Sequence, residues 1–246
     1  RIGNCMGHIL VTGSSRGIGR AALTLLAQRG AKVIGHGSRP QPEDAGGLAF
    51  IAADLADPLS VDRLWHAALE LAEGKIDVVV NNAGRFEANR LERSDIEWLD
   101  AWEDTLRVNL TAAAQLSRLA VLHWQAEGRG GRLVHVASRA AYRGDSPAHW
   151  HYAAAKGGMV AMHKTIARAY AGQGILSFAV TPGFTDTSMA GDYLASRGGP
   201  GLLADIPLGR VASPEEIARI IAFCALDAPE SMTGAVIDAN GASFVR

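Results

Sequence analysis

Tyr152 and Lys156 stand four residues apart, a spacing that puts two side chains on one face of a helix. A phenol of ordinary pKa, about 10, is a poor base at neutral pH. An ammonium beside it favours the phenolate and brings it into working range, so the pair could move a proton. Tyr-x-x-x-Lys pairs also occur on plain helix surfaces, and the surrounding residues decide between the two readings. Here Ser138 ends a β-rich run just upstream, and Asn109 lies in Val108-Asn109-Leu110-Thr111.

A second chemical signal lies near the start of the chain. Thr12-Gly13-Ser14-Ser15-Arg16-Gly17-Ile18-Gly19 joins an apolar run to a helix-like stretch. Glycines at such a turn let the backbone approach a pyrophosphate, whose charge helix N-terminal amides then stabilise. The same glycines could instead serve tight packing. In dinucleotide folds an acid about 20 residues on binds the ribose hydroxyl, whereas an arginine accommodates a 2′-phosphate. The second strand runs out through Gly35-His36-Gly37-Ser38-Arg39, with no acid before Glu43. Arg39 and Arg16 could both reach that phosphate, so NADP(H) is expected over NAD(H). NAD(H) remains open if Arg39 is a solvated surface residue.

Both sites need a scaffold. Short aliphatic runs at His8 to Thr12, Lys32 to His36, Ala49 to Ala52, Ile76 to Val80, Arg132 to Ala137, Leu176 to Val180 and Ala235 to Asp238 read as strands. Ile9-Leu10-Val11 and Val78-Val79-Val80 are continuously apolar, as parallel strands covered on both faces should be. Between them, Gly17 to Arg29, Ser60 to Glu73, Leu106 to Glu127, His151 to Ala171 and Pro214 to Ala225 have helical length and composition. This alternation predicts a doubly wound, Rossmann-type parallel sheet of about seven strands with helices on both faces, in a single α/β domain. The glycine-rich segment 185–209 is expected to form a substrate lid or a passive loop. Trp98 and Trp102, four apart among acids, are expected to form one stripe of an amphipathic helix that packs into the core or, in part, against a partner subunit.

Composition narrows the function. The 246 residues are 48% hydrophobic and 20% charged, with net charge -1. No basic field is available for a nucleic-acid backbone or an anionic membrane, and no apolar run approaches the roughly 20 residues that span a bilayer. Neither nucleic acid nor a membrane is an expected partner, and a cytoplasmic location is expected. Two cysteines, Cys5 and Cys224, offer no disulfide framework and no metal spacing, so no metal is expected.

Taken in order, the glycine turn, Asp54-Leu55, Asn81-Asn82-Ala83-Gly84, Asn109, Ser138, Tyr152 with Lys156, and Pro182-Gly183 with Thr185 and Thr187 resemble the short-chain dehydrogenase/reductase family over nearly the full chain. The resemblance implies that Tyr152 is the general acid in reduction and the general base in oxidation. Ser138 would bind the substrate oxygen, and Lys156 would hold the nicotinamide ribose and lower the Tyr152 pKa. Asn109 would anchor a water that passes protons toward Lys156. Asp54 and Leu55 would meet the adenine, the Asn82, Ala83 and Gly84 backbone the ribose, and Pro182, Gly183, Thr185 and Thr187 the nicotinamide end. Gly13, Ser15, Arg16, Gly17, Ile18, Gly19, Ser38 and Arg39 complete the expected cofactor set. Asp54 could alternatively cap the helix that begins near Pro58.

Pro207-Leu208-Gly209-Arg210 followed by Pro214-Glu215-Glu216-Ile217 is similar to the subgroup that includes 3-oxoacyl carrier-protein reductases, although Asp238-Ala239-Asn240 stands where that subgroup has Asp-Gly-Gly. The expected activity is NADP(H)-dependent interconversion of a carbonyl and a secondary alcohol, with a 3-oxoacyl thioester as first substrate. The alternatives are an alcohol or polyol dehydrogenase working oxidatively and a non-catalytic dinucleotide sensor. The resemblance also implies a homotetramer or homodimer. His149, Trp150 and His151, directly before Tyr152, could line a substrate pocket or merely pack.

Overall fold

The structure, a computed structural model, describes residues 7–40, 48–186 and 199–246. Seven parallel strands form one sheet: β1 (His8–Val11), β2 (Lys32–Gly37), β3 (Ala49–Ala52), β4 (Ile76–Asn81), β5 (Gly131–Val136), β6 (Ile175–Pro182) and β7 (Val236–Ala239). Their order across the sheet is β3-β2-β1-β4-β5-β6-β7. The chain starts at the centre, winds outward to β3, then crosses back to place β4 on the other side of β1. Val11 pairs with Gly35 of β2 and with Val80 of β4, so the loops that leave these strands part on opposite sides of β1. That reversal opens a crevice at the carboxyl ends, where ligands bind in such sheets.

Alternation along each strand divides the core. Ile9, Val11, Val78, Val80, Val134 and Val136 face α1 (Gly17–Gln28) and, at Ile217 and Ile221, the later helix Pro214–Ala222. Leu10, Val79 and Leu133 face α2 (Pro58–Leu71) and the helix Ala112–Ala126, meeting Leu64, Trp65, Leu116 and Trp124. Both faces are therefore apolar, which explains why these strands read as unbroken hydrophobic runs. The remaining helices are α3 (Asp95–Leu106), α4 (Ala112–Ala126), α5 (Ala140–Arg143), α6 (Trp150–Tyr170), α7 (Gly199–Ala204) and α8 (Pro214–Ala222).

Two expectations change. The helix expected at Leu106 to Glu127 is a longer rod: α3 runs through a π-helical turn, Arg107–Thr111, into α4. Ser94 starts it with a reciprocal Ser-Glu97 cap. Trp98 and Trp102 do not enter the core. Thr105 is the one buried residue of α3, and the two indoles stack on each other at 5.3 Å on its half-buried face. The acids flanking them keep the helix on the surface, so aromatic content alone was misleading. Of segment 185–209, residues 187–198, Thr187 among them, lie outside the described residues. Among the described residues no helix is long and apolar enough to cross a membrane, and no cluster of three or more His, Cys, Asp or Glu could hold a metal ion.

Candidate active site

The crevice is a cleft of about 900 Å³, and its floor is the turn between β1 and α1. Gly13 has φ +64, and a Cβ there would lie 2.6 Å from the Ala83 Cα. A Cβ on Gly19 would lie 2.2 Å from the Gly13 carbonyl oxygen. Gly19 is therefore the packing glycine of the turn, while Gly13, Ser15, Arg16, Gly17 and Ile18 line the cleft. Asn82 locks the turn from β4: its Nδ2 donates to the carbonyls of Thr12 and Gly13 at 2.9 and 3.0 Å. Thr12 Oγ1 accepts from the Asn82 and Ala83 amides. Asn81 instead enters the core, where its Nδ2 donates to Ser117 Oγ at 3.1 Å.

Side chains cap α2, α3 and α8, through Asp57, Ser94 and Ser213. None caps α1. Its first amides face the cleft at the positive end of the helix, which together with the glycine cradle fits a pyrophosphate.

His36, which the sequence reading passed over, ties this floor to the adenosine side. Its Nδ1 accepts from the Gly13 amide at 3.2 Å, and its Nε2 lies 2.9 Å from the Ala53 carbonyl. Those partners require a neutral ring with the proton on Nε2, and burial lowers its pKa, opposed by the Ala53 bond and by Asp54. Ser38 and Arg39 are exposed at the rim, and Asp54 and Leu55 line the same end. The cap of α2 is Asp57, which accepts from the Leu59 amide at 2.9 Å. Asp54 accepts from the Ala56 amide at 3.0 Å and lines the cleft.

At the other end, α6 brings Tyr152 and Lys156 opposite the end of β5. Lys156 Nζ donates to the Val136 carbonyl at 2.8 Å and lies 5.8 Å from the Tyr152 ring centre. Ser138 Oγ accepts from the Ala140 amide at 3.1 Å, which leaves its own hydrogen for a partner, and its hydroxyl acts to lower the pKa of the Tyr152 phenol. Tyr152, Lys156, Ser138, Ala83, Gly84, Pro182, Gly183 and Thr185 share the cleft wall. Asn109, buried in the π-turn, stands one layer behind: its Oδ1 accepts from the Arg85 amide at 2.7 Å and its Nδ2 donates to the Arg85 carbonyl at 2.8 Å. It fixes the loop after β4 that carries Gly84.

The electrostatics depart from the sequence expectation. Burial pushes the Tyr152 phenol up to about 12; Ser138 opposes this and Asp145 adds to it. Burial also lowers Lys156 to about 8. Desolvation acts on both groups and penalises each charged form, so in the protein alone it outweighs any lowering of the phenol by the ammonium.

Neither His149, Trp150 nor His151 lines the cleft. His149 stacks on Phe86 at 4.0 Å and pairs with Ser146 Oγ at 2.6 Å. Phe86, a cleft residue, in turn sets its edge on Tyr152 at 4.8 Å. Trp150 packs across Trp98, and His151 is buried against Trp102. The sequence reading also passed over Phe86, Arg139 and Phe184, all in the cleft wall. Arg139 could have been noticed as the residue next to Ser138; Phe86 carries no signal of its own.

A switch-point crevice, an uncapped glycine turn and a Tyr-Lys-Ser group at its far end define a dinucleotide-dependent oxidoreductase. The family model described as enoyl-(acyl carrier protein) reductase matches residues 13–241, and the chain belongs to the short-chain dehydrogenase/reductase family. It is 35% identical to the 3-oxoacyl-(acyl-carrier-protein) reductase FabG of Escherichia coli (strain K12) over 242 residues, 96% of each chain. The FabG proteins of Vibrio cholerae serotype O1 and Pseudomonas aeruginosa are each 36% identical, with 96% of both chains covered. A solved structure from Agrobacterium tumefaciens, described as a 2-deoxy-D-gluconate 3-dehydrogenase with bound NADP, superposes with a TM-score of 0.84 at 29% identity, covering 96% of this chain and 95% of that one.

Proposed function

We propose that this oxidoreductase uses NADPH to reduce a ketone to a secondary alcohol, with Tyr152 as the proton donor. The observation that carries the reading is that Ser138, Tyr152 and Lys156 share one cleft wall, where Ser138 acts on the Tyr152 phenol, since two neighbouring hydroxyls can both turn to one substrate oxygen. The bound nicotinamide supplies the hydride. As negative charge builds on the substrate oxygen, Ser138 donates a hydrogen bond to it and Tyr152 transfers its proton. A phenol held near 12 still yields that proton, because an alkoxide is the stronger base. The neighbouring Lys156 ammonium stabilises the phenolate left behind and holds the nicotinamide ribose. Asn109, behind Gly84, anchors the water that returns a proton.

Arg16 and Arg39 take the 2′-phosphate, with Ser38 beside them; Asp54 and Leu55 meet the adenine. Asn82, Ala83 and Gly84 follow the ribose, and Pro182, Gly183, Thr185 and Thr187 hold the nicotinamide end. NADP in the Agrobacterium protein supports the cofactor choice. The FabG relatives favour 3-oxoacyl thioesters as substrates, and the name of the Agrobacterium protein favours a second reading, oxidation of a hydroxyl on a sugar acid by the same groups in reverse. The chain works as one domain in the cytoplasm, as a homotetramer or homodimer, and exposed Ile96, Leu99 and Trp150 around α3 supply an apolar face for assembly.

Steady-state efficiencies with NADPH and NADH test the assignment. Wild type should favour NADPH by at least about tenfold, about 1.4 kcal/mol, and Arg39→Asp should move the ratio toward NADH. A wild-type preference for NADH would overturn the cofactor choice.

A further inference from the structure

Gly35-His36-Gly37 ends β2 beside the phosphate turn, and alternation along the strand sends its side chains to opposite faces. On one face the two glycines let the turn come close: a Cβ on Gly35 would lie 2.8 Å from Ser14 Oγ, and one on Gly37 3.3 Å from the Ser15 Cβ. The backbone uses that closeness. The Ser14 amide donates to the His36 carbonyl at 2.8 Å, and the His36 amide donates to Ser14 Oγ at 2.9 Å. On the other face the His36 ring is buried in the cleft wall, at 2% exposure. Its Nδ1 accepts from the Gly13 amide at 3.2 Å, and its Nε2 donates to the Ala53 carbonyl at 2.9 Å. One ring therefore joins the turn after β1 to the loop that carries Asp54 and Leu55.

We infer that His36 is a positioning residue for the dinucleotide: its ring clamps the phosphate turn to the adenine loop and holds both in binding geometry before the cofactor arrives. The inference rests on the NADP(H) reading above and adds to it a residue that sets affinity without touching the hydride. A neutral imidazole offers an acceptor on one nitrogen and a donor on the other, held apart by a rigid ring. Burial disfavours the imidazolium, which keeps Nδ1 an acceptor for the Gly13 amide. The turn needs such a clamp because it is rich in glycine, with Gly13 at φ +64 and Gly17 at φ +56. Glycine loses more backbone freedom on ordering than any other residue. A turn already ordered by the protein spares the cofactor that loss, which appears as affinity. Since the Gly13 amide is engaged by the ring, the pyrophosphate is left to the amides that follow at the uncapped start of α1.

Titration calorimetry with NADP⁺ alone, at neutral pH and without substrate, tests this on wild type, His36→Leu and His36→Asn. Leucine fills the space and leaves the Gly13 amide without its acceptor, so His36→Leu should weaken NADP⁺ binding by about 10- to 100-fold. Asparagine places an oxygen near the position of Nδ1, and His36→Asn should recover at least about fivefold of that loss. In steady state the KM for NADPH should follow the same order, while kcat at saturating NADPH stays within about threefold, as for a residue that acts on binding alone. A buried asparagine supports the fold no better than leucine does, so affinity that returns with the oxygen reports the acceptor. Wild-type affinity in His36→Leu, or His36→Asn binding no tighter than His36→Leu, would overturn the clamp while the cofactor assignment stands. So would affinities that merely follow the melting temperatures of the cofactor-free proteins. A wild type that binds neither NADP⁺ nor NADPH would remove the cofactor assignment and this inference with it.

Discussion

Lys156 sits so deep that its charge is conditional. Burial brings its pKa to about 8, so a solution only mildly alkaline discharges it. If its ammonium holds the ribose and stabilises the phenolate, kcat/KM for ketone reduction should be level below about pH 8 and fall with one proton above it. That profile reports the free enzyme, and an efficiency still level well above pH 9 would contradict the role. Linkage gives stability the opposite trend. Between about 8 and the ordinary lysine value of 10.5 the unfolded chain binds a proton that the folded chain has released. This group's contribution to stability therefore rises with pH across that window. Tyr152, raised to about 12, keeps its proton throughout, which suits an acid in the reductive direction.

The elements hold these residues by contacts with almost no slack. The floor turn closes only because Gly19 lacks a Cβ, which would meet the Gly13 carbonyl at 2.2 Å and Asn82 Nδ2 at 2.4 Å. Gly19→Ala should therefore cost about 1–3 kcal/mol, read as a lowered denaturation midpoint, and weaken NADPH binding at least about tenfold. Gly172→Ala, with nothing within 4 Å of the added atom, should change neither, and equal effects from the two would contradict the packing account. Seven strands and five long helices could be read from the sequence because apolar runs and amphipathic periods record burial directly. Strand ends moved by one or two residues, since hydrogen bonding carries on past the last apolar side chain, as at Asn81 and Pro182. The position of Trp98 and Trp102 was not legible, because an amphipathic helix does not record what its apolar stripe will face. His36 was not legible either, because its role lies in two bonds to residues 23 and 17 positions away.

Across the molecule, topology assembles the site. Reversal of strand order beside β1 opens the cleft, β4 supplies Asn82 to brace the floor, and β5 and α6 set Ser138 against Tyr152 at the far end. The four residues proposed for catalysis were named from a family resemblance in the sequence, and Ser138, Tyr152 and Lys156 line one cleft. Arg139 and Phe86 gain meaning only when separate loops meet around the cleft. The central claim is that the Tyr152 phenol delivers the proton to a substrate oxygen shared with Ser138. Its most direct test is NADPH oxidation by Tyr152→Phe with the best ketone substrate, measured alongside NADPH affinity. The account predicts that the variant still binds NADPH and loses about 10²–10⁴-fold in kcat; a variant that turns over ketone at the wild-type rate would contradict it.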